Sequence, residues 1–379
     1  MRETELRRLI AEEFLSVIED PRVERTRKHS LETILVIALL AVICGADSFV
    51  AMETYAKSRE EWLATFLDLK GGVPSHDTFG RVFAALNPMM LAEAFRRWTE
   101  AMADSSKEKL IAIDGKTLRR AFKHAGDGVF VHMVSAWSSV NGVVLGQVKT
   151  DEKSNEITAI PTLLDLIEVK SALVTIDAAG AQLAIAEKIV DKGGDYLLTV
   201  KGNQPTLHDR MVQHFEGVGR FYNKFERAQT HDRAHGREET RRIEVSHAIE
   251  EIHSAERWPK LATLIHVESI RTVKGDTTTE HRYYISSRRA LSAKKALAAV
   301  RSHWSIENEL HWVLDVAFCE DDSRVRAGNA AANFSAVRQL ALGLLKKRTE
   351  AKCGIKIRRQ RAGWEPKFLL QTIGLPLSD

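Results

Sequence analysis

Asp114 closes the apolar run "LIAID" and Asp177 closes "ALVTID", while Glu307 stands in "HWSIENELHW". A carboxylate presented at the end of a strand can be reached by a divalent metal or a phosphoryl group. Acids at such places also begin turns and cap helices, so their chemistry depends on partners. Gly115-Lys116-Thr117 follows Asp114 and raises a second reading, a phosphate-cradling nucleotide loop. That loop needs another glycine five residues before the Gly-Lys-Thr end, so that successive backbone N–H groups curl around phosphate. Position 110 is Leu110, and Ile111, Ala112, Ile113 and Asp114 fill the interval, which makes the segment a strand.

Around the glutamate, His303, Glu307 and His311 are four residues apart and share one face of a helix, with Ile306, Leu310 and Val313 on another. In the His-Glu-x-x-His zinc pattern the Glu follows the first His directly, so this ladder does not spell a zinc hydrolase. The reading that remains makes Glu307 a third acid carried by a helix, with Glu309, two residues on, as its rival. The cysteines Cys44, Cys319 and Cys353 lie far apart and form no Cys-x-x-Cys pair. Neither a zinc site of that kind nor a disulfide framework is suggested, and a reducing cytosol fits.

Strands and helices must position these acids. From residue 110 the pattern reads "LIAID", "VFVHMVSAW" and "VVLGQVKT" as strands, a helix from about Ile157 to Glu168, the strand "ALVTIDA", the helix "AQLAIAEKIVDKG" and the strand "DYLLTVK". This is the order of an RNase H-like mixed sheet flanked by helices, an α/β fold in which the first and fourth strands lie side by side and bring Asp114 to Asp177. Residues about 203–290 read as a β-rich insertion with its own small sheet, placed before the third acid. Its charged start, "THDRAHGREETRRIEV", is either a solvated loop or a nucleic-acid contact. Helix returns at Ala293 and again, amphipathic, in "DDSRVRAGNAAANFSAVRQLALGLLKK"; "KCGIKIRRQRAGW" is the most basic run.

Ahead of the sheet, residues 1–104 read as a helical N-terminal domain: a polar first helix, a buried helix near 31–44, and a pair around "SHDTFGRVFAAL" and "MLAEAFRRWTEAM". Phe79, Val82, Phe83 and Leu86 recur at helical spacing after a cap at Ser75 or Asp77. With Arg81 on the polar face this resembles the second half of a helix-turn-helix; a plain helical bundle accounts for it equally. Residues 105–348 read as the domain that carries the three acids, with the insertion inside it, and 349–379 as a basic C-terminal tail. The chain of 379 residues is 44% hydrophobic and 28% charged, an ordinary globular balance, and its net charge of +4 permits nucleic-acid binding without arguing for it. The apolar stretch Ile34 to Ala46 is shorter than the roughly 20 residues of a membrane span, and no signal-peptide pattern opens the chain.

Taken together these segments resemble the DDE transposases of bacterial insertion sequences, in the branch of the H-repeat-associated proteins. "IAIDGKTLR" is similar to the family's first-acid motif, "VTIDAAGAQ" to its second, "GGDYLLTVKGNQPTL" to the segment after it and "HWSIENELHWVLDVAFCEDDSRVR" to the region of the third. "RKHSLETILVIALLAVICGADS" and "GVPSHDTFGRVFAAL" resemble the associated N-terminal domain. The resemblance spans nearly the whole chain and implies that Asp114, Asp177 and Glu307 are the catalytic, metal-binding acids, Glu307 fitting the family register better than Glu309.

It further implies two Mg²⁺ ions, for which Mn²⁺ can substitute, and DNA cleavage at element ends followed by strand transfer. Double-stranded DNA is the implied partner, as terminal repeats and as target, bound by a homo-oligomer in the bacterial cytosol or on the nucleoid, with no role for a membrane. Related transposases often carry Tyr, Arg and Lys at positions held here by Val300, His303 and Leu314, so His303 and His311 are candidates to take over phosphate contacts. Lys116, Arg119, Arg120 and Lys201, beyond strand ends, are candidate phosphate cations, joined by Arg324 and Arg326; Asn203 and Gln204 could reach DNA through their amides. The competing functions are a domesticated or inactive transposase that only binds DNA, and an RNase H-like nuclease without strand transfer.

Overall fold

The computed structural model describes residues 18–102, 109–122, 130–150, 156–217, 219–222, 224–234, 236–252 and 255–374. The polar first helix expected from the sequence falls mostly outside them. The chain divides into two compact units: residues 1–106, 115–154 and 307–379 form one, and residues 107–114 and 155–306 the other. Among the described residues no helix is long and apolar enough to cross a membrane.

The first unit begins with α1 (Leu31–Ile43), whose Ser30 cap accepts the Thr33 N–H and whose residues from Thr33 to Ile43 are all buried. A helix apolar all round must lie inside a core, which is why this stretch never needed a bilayer. There follow α2 (Phe49–Ser58), the single turn α3 (Glu60–Leu63), α4 (His76–Ala85) and α5 (Pro88–Met102). Ser75 caps α4 through the Thr78 N–H, and Phe79, Val82 and Phe83 form its buried stripe. β1 (Leu110–Phe122) starts in the second unit and, past Asp114, runs on in the first, where β2 (Phe130–Ser138) and β3 (Val143–Lys149) pair antiparallel from Met133 opposite Lys149 to Ser138 opposite Val143.

The second unit holds the parallel strands. After α6 (Glu156–Leu166) come β4 (Leu173–Ile176), α7 (Leu183–Asp191) and β5 (Asp195–Val200). β4 runs parallel to β1, from Leu110 opposite Leu173 to Ile113 opposite Ile176, and parallel to β5 on its other side. All four β4 residues are buried. That is the continuous apolar run expected of a parallel strand covered on both faces.

Beyond α8 (Pro205–Phe215) and the turn α9 (Gly219–Tyr222), the chain forms β6 (Glu226–Ala234), β7 (Arg237–Ser246), β8 (Thr263–Val273) and β9 (Asp276–Ser286). The expected separate sheet is not what forms. β9 pairs antiparallel with β5, Leu197 opposite Ser286 and Val200 opposite Tyr283, so the sheet of this unit runs β1-β4-β5-β9-β8-β7-β6. The charged "THDRAHGREETRRIEV" is a β6–β7 hairpin instead of a loop. β8 and β9 meet at Lys274 and Gly275, both with positive φ, as a tight twisted hairpin turn requires. α10 (Ala293–His303) closes the unit.

Back in the first unit, a π-helical turn over Ile306–His311 leads to α11 (Trp312–Phe318). α12 (Ala330–Lys346) is buried from Ala330 to Leu345 and packs on α1, α4, α5 and β3. Asn333 fixes its position by donating to the carbonyls of Phe83 (2.8 Å) and Leu86 (3.0 Å) at the end of α4. The expected basic tail is also folded: α13 (Ile355–Trp364) and α14 (Pro366–Thr372) occupy it. Arg359 is 3% exposed there and donates to the carbonyl of Val42 and to the Asp47 carboxylate.

Candidate catalytic carboxylates and their surroundings

Ile113 and Ile176 are register partners in parallel strands, so the residues that follow them, Asp114 and Asp177, leave neighbouring strands side by side and in the same direction. Adjacent strands lie about 4.8 Å apart. Both aspartates are half-buried and follow the last pair of the parallel ladder, Asp177 just past the end of β4 and Asp114 within β1, which continues to Phe122 and so does not end at its acid as the sequence suggests. The end of such a ladder is where open α/β sheets place their ligands.

The loop after Asp177 is built to hold that side chain. Its Oδ1 accepts the backbone N–H groups of Ala179 (3.0 Å) and Gly180 (3.3 Å), which fixes the rotamer while Oδ2 takes no part in those bonds. A Cβ on Gly180 would stand 2.3 Å from Ile176 Cγ2, so a larger residue here requires Ile176 or the loop to shift. Asn203 donates its side-chain amide to the Ala178 carbonyl, and Gln204 donates to that of Ala181 at 3.0 Å. These two amides, expected to face DNA, are committed to bracing the Asp177 loop. Lys201 is exposed, and its backbone N–H donates to Asn203 Oδ1 at 3.2 Å.

His303, at the end of α10, sets Nδ1 3.0 Å from the Thr175 hydroxyl. Burial pushes the imidazole's pKa below its usual value, and the negative charge of Asp177 pulls in the other direction. His303 is thus a neutral neighbour of the Asp177 carboxylate in the same unit.

Glu307 lies on the π-helical turn and is exposed. The continuous α-helix expected from Ala293 onward is therefore interrupted: α10 ends at His303, and the turn with one extra residue per loop precedes α11. Such single π turns inside helices recur at functional sites. Glu309 accepts the Lys346 ammonium at 2.7 Å, and Lys346 also lies 4.6 Å over the Trp137 ring. The rival acid is thereby held by a structural cation. His311 is only 8% exposed and offers its backbone carbonyl to Lys116, so the expected phosphate contact from its ring does not fit its position.

Lys116, Arg119 and Arg120 lie within β1 and not beyond a strand end, because the strand continues to Phe122, and they are less available than the sequence suggests. The Lys116 ammonium contacts Asp315, Glu320 (3.2 Å) and Asp321 (3.7 Å). Burial works against its charge, but these carboxylates, Glu320 foremost, raise its pKa. Lys116 is a buried counter-ion and no free phosphate ligand. Arg119 pairs with Asp321 and Arg120 with Asp322, each at 3.2 Å, though both guanidinium groups stay largely exposed. Arg326 donates to the Arg120 carbonyl at 3.0 Å. Arg324 is exposed and lines an open cleft with Asp47, His76, Asp77 and Arg81. The acidic string "EDD" at 320–322 carried the signal for the Lys116 cluster, since so many acids on one short turn need a cation.

Chemically, Asp114 and Asp177 supply paired oxygen donors, the ligand type hard divalent ions prefer. The chain belongs to the DDE transposases: residues 105–344 match the family described as Transposase DDE domain, and residues 12–99 its DDE_Tnp_1-associated domain. It is 44% identical over 366 residues to YncI of Escherichia coli O157:H7, a protein provisionally named a transposase, covering 95% of this chain and 93% of that one. To the H repeat-associated YhhI of Escherichia coli strain K12, likewise provisionally named, it is 37% identical over 374 residues, covering 97% and 98%.

Proposed function

We propose that this transposase cuts DNA at the ends of an insertion sequence and joins the freed ends to target DNA, using Asp114, Asp177 and Glu307 as its metal-holding acids. The observation that carries the reading is the register of β1 and β4, which sets Asp114 beside Asp177 at one sheet edge. Glu307 joins them on the strength of its motif, its exposed position on a π turn and the engagement of Glu309 elsewhere.

The donor set suits Mg²⁺, with Mn²⁺ as a substitute. Asp114, Asp177 and Glu307 would hold such ions, which would supply Lewis-acid chemistry for nucleophile activation and leaving-group stabilisation. The protein's own part is positioning. The backbone N–H groups of Ala179 and Gly180 hold one Asp177 oxygen so that the other is presented, and Asn203 and Gln204 keep that loop from moving. His303, neutral and tied to Thr175, adds no competing positive charge next to Asp177. Three acids gathered without cations would repel one another and the phosphate backbone, so DNA and metal bind cooperatively. Exposed Lys201, Arg119, Arg120 and Arg324 supply phosphate contacts. Joining both ends of an element to one target requires that the two ends be held together, so the working form is an oligomer on DNA in the cytosol.

The test is incubation of the purified protein with a labelled fragment bearing the element's own ends, with Mg²⁺ and with EDTA. Cleaved and joined products in Mg²⁺ alone support the reading. Cutting without joining makes the protein a nuclease, and binding without either product makes it a DNA-binding protein only.

A further inference from the structure

A second cluster of ligand-type side chains lies in the β-rich part of the second unit, apart from the three acids. Glu216, the C-cap of α8, meets His266 of β8 and His281 of β9, and their ligand atoms all fall within 4.8 Å of one another. His266 Nε2 is 3.0 Å from His281 Nδ1, and Glu216 Oε1 is 3.6 Å from the first and 3.4 Å from the second. Three atoms bound tetrahedrally to an ion at about 2.0–2.1 Å are separated by roughly 3.3 Å. The observed triangle has that size.

The second layer orients the ligands. Arg227, Glu244, His266 and Tyr283 stand directly opposite one another across β6, β7, β8 and β9, a row of four. Glu244 lies 3.4 Å from His266 Nδ1 and is itself clamped by Arg220 (2.8 Å) and Arg227 (2.9 Å). A carboxylate on Nδ1 selects the tautomer whose Nε2 lone pair faces the cluster, the arrangement by which proteins prepare a metal-binding imidazole. Tyr283 donates its hydroxyl to Glu216. His266 is 6% exposed, while Glu216 and His281 open onto a cleft of about 620 Å³.

We propose that Glu216, His266 and His281 bind one borderline transition-metal dication, Zn²⁺ by its fit, with a fourth coordination position open to the cleft. Two imidazoles and one carboxylate favour such an ion over Mg²⁺, which takes oxygen ligands. The ion ties the end of α8 to β8 and β9.

The test uses the full chain, stripped by chelator and titrated with Zn²⁺ in excess Mg²⁺, alongside Asp177→Asn, His281→Ala and Glu244→Gln, with Co²⁺ absorption as a second readout. The wild type and Asp177→Asn bind one equivalent and show the visible bands of few-coordinate Co²⁺. Glu244→Gln weakens binding by roughly 10–100-fold, and His281→Ala by more than that. Should His281→Ala fail to fold, Glu216→Gln at the exposed C-cap gives the same loss. Zn²⁺ binding that is unchanged in His281→Ala or Glu216→Gln, or no tight binding by the wild type, overturns the proposal.

Discussion

The Nδ1 of His303 lies 3.0 Å from the hydroxyl of Thr175, two residues ahead of Asp177 on the same strand. The imidazole's pKa is lowered from 6.5, first by burial, and those of His214 and His266 are lowered for the same leading reason. Below pH 6.5 the unfolded chain takes up protons at these sites that the folded chain refuses, so stability is complete above that pH and declines beneath it. The urea midpoint should fall between pH 7 and pH 5, and fall less in His303→Gln. A midpoint that is flat or rises on acidification would count against buried neutral histidines. The Glu53 carboxyl, pulled down to about 2, titrates in a separate and lower range.

Lys116 separates a structural from a DNA-contacting cation. Its ammonium serves Glu320, which is 2% exposed, so Lys116→Ala leaves a buried carboxylate without its cation. Breaking a buried pair costs about 3–5 kcal/mol, measurable by denaturant unfolding. The slope of DNA affinity against salt should stay as it is in folded Lys116→Ala and drop by about one in Lys201→Ala. The reverse pattern would return Lys116 to the phosphate contacts.

Gly180→Ala probes the Asp177 loop. A methyl group 2.3 Å from Ile176 Cγ2 and 2.9 Å from Ile160 Cδ1 forces these side chains or the loop to shift, next to the Gly180 N–H that holds Asp177 Oδ1. Overpacking of this kind costs about 1–3 kcal/mol. Cleavage measured well below the melting temperature should fall by more than tenfold, and wild-type cleavage in this variant would show that the loop has no positioning role.

Arg359 tests the C-terminal helices. Its guanidinium satisfies the carbonyls of Val42 and Ala317 and the Asp47 carboxylate and lies 4.1 Å from the Phe318 ring. Arg359→Ala strands these acceptors, each costing about 1–3 kcal/mol, and should lower Tm sharply. Unchanged Tm with weakened DNA binding would make α13 a DNA-contacting element instead.

Apolar runs made the strands of the sheet legible, because "LIAID", "ALVTIDA" and "DYLLTVK" are too short and too β-branched for helices. From there the adjacency of Asp114 and Asp177 followed by strand order. Pairing partners carry no such mark: nothing in "EHRYYISSR" says that Tyr283 will lie opposite Val200, so the insertion's union with the parallel strands was hidden. The π turn was hidden too, since Ile306, Leu310 and Leu314 keep a spacing that an α-helix also satisfies. Lys116 and Arg359 look like surface cations until Glu320 and Asp47, distant along the chain, are brought to them. Glu216 and His281 likewise gave no signal, being separated by more than sixty residues.

Cleavage of a labelled element end in Mg²⁺ by Asp177→Asn, an almost isosteric change, asks whether this carboxylate holds the metal. Cutting should drop to background while the variant keeps its fold and still binds the end. Wild-type cutting by that variant would contradict that role.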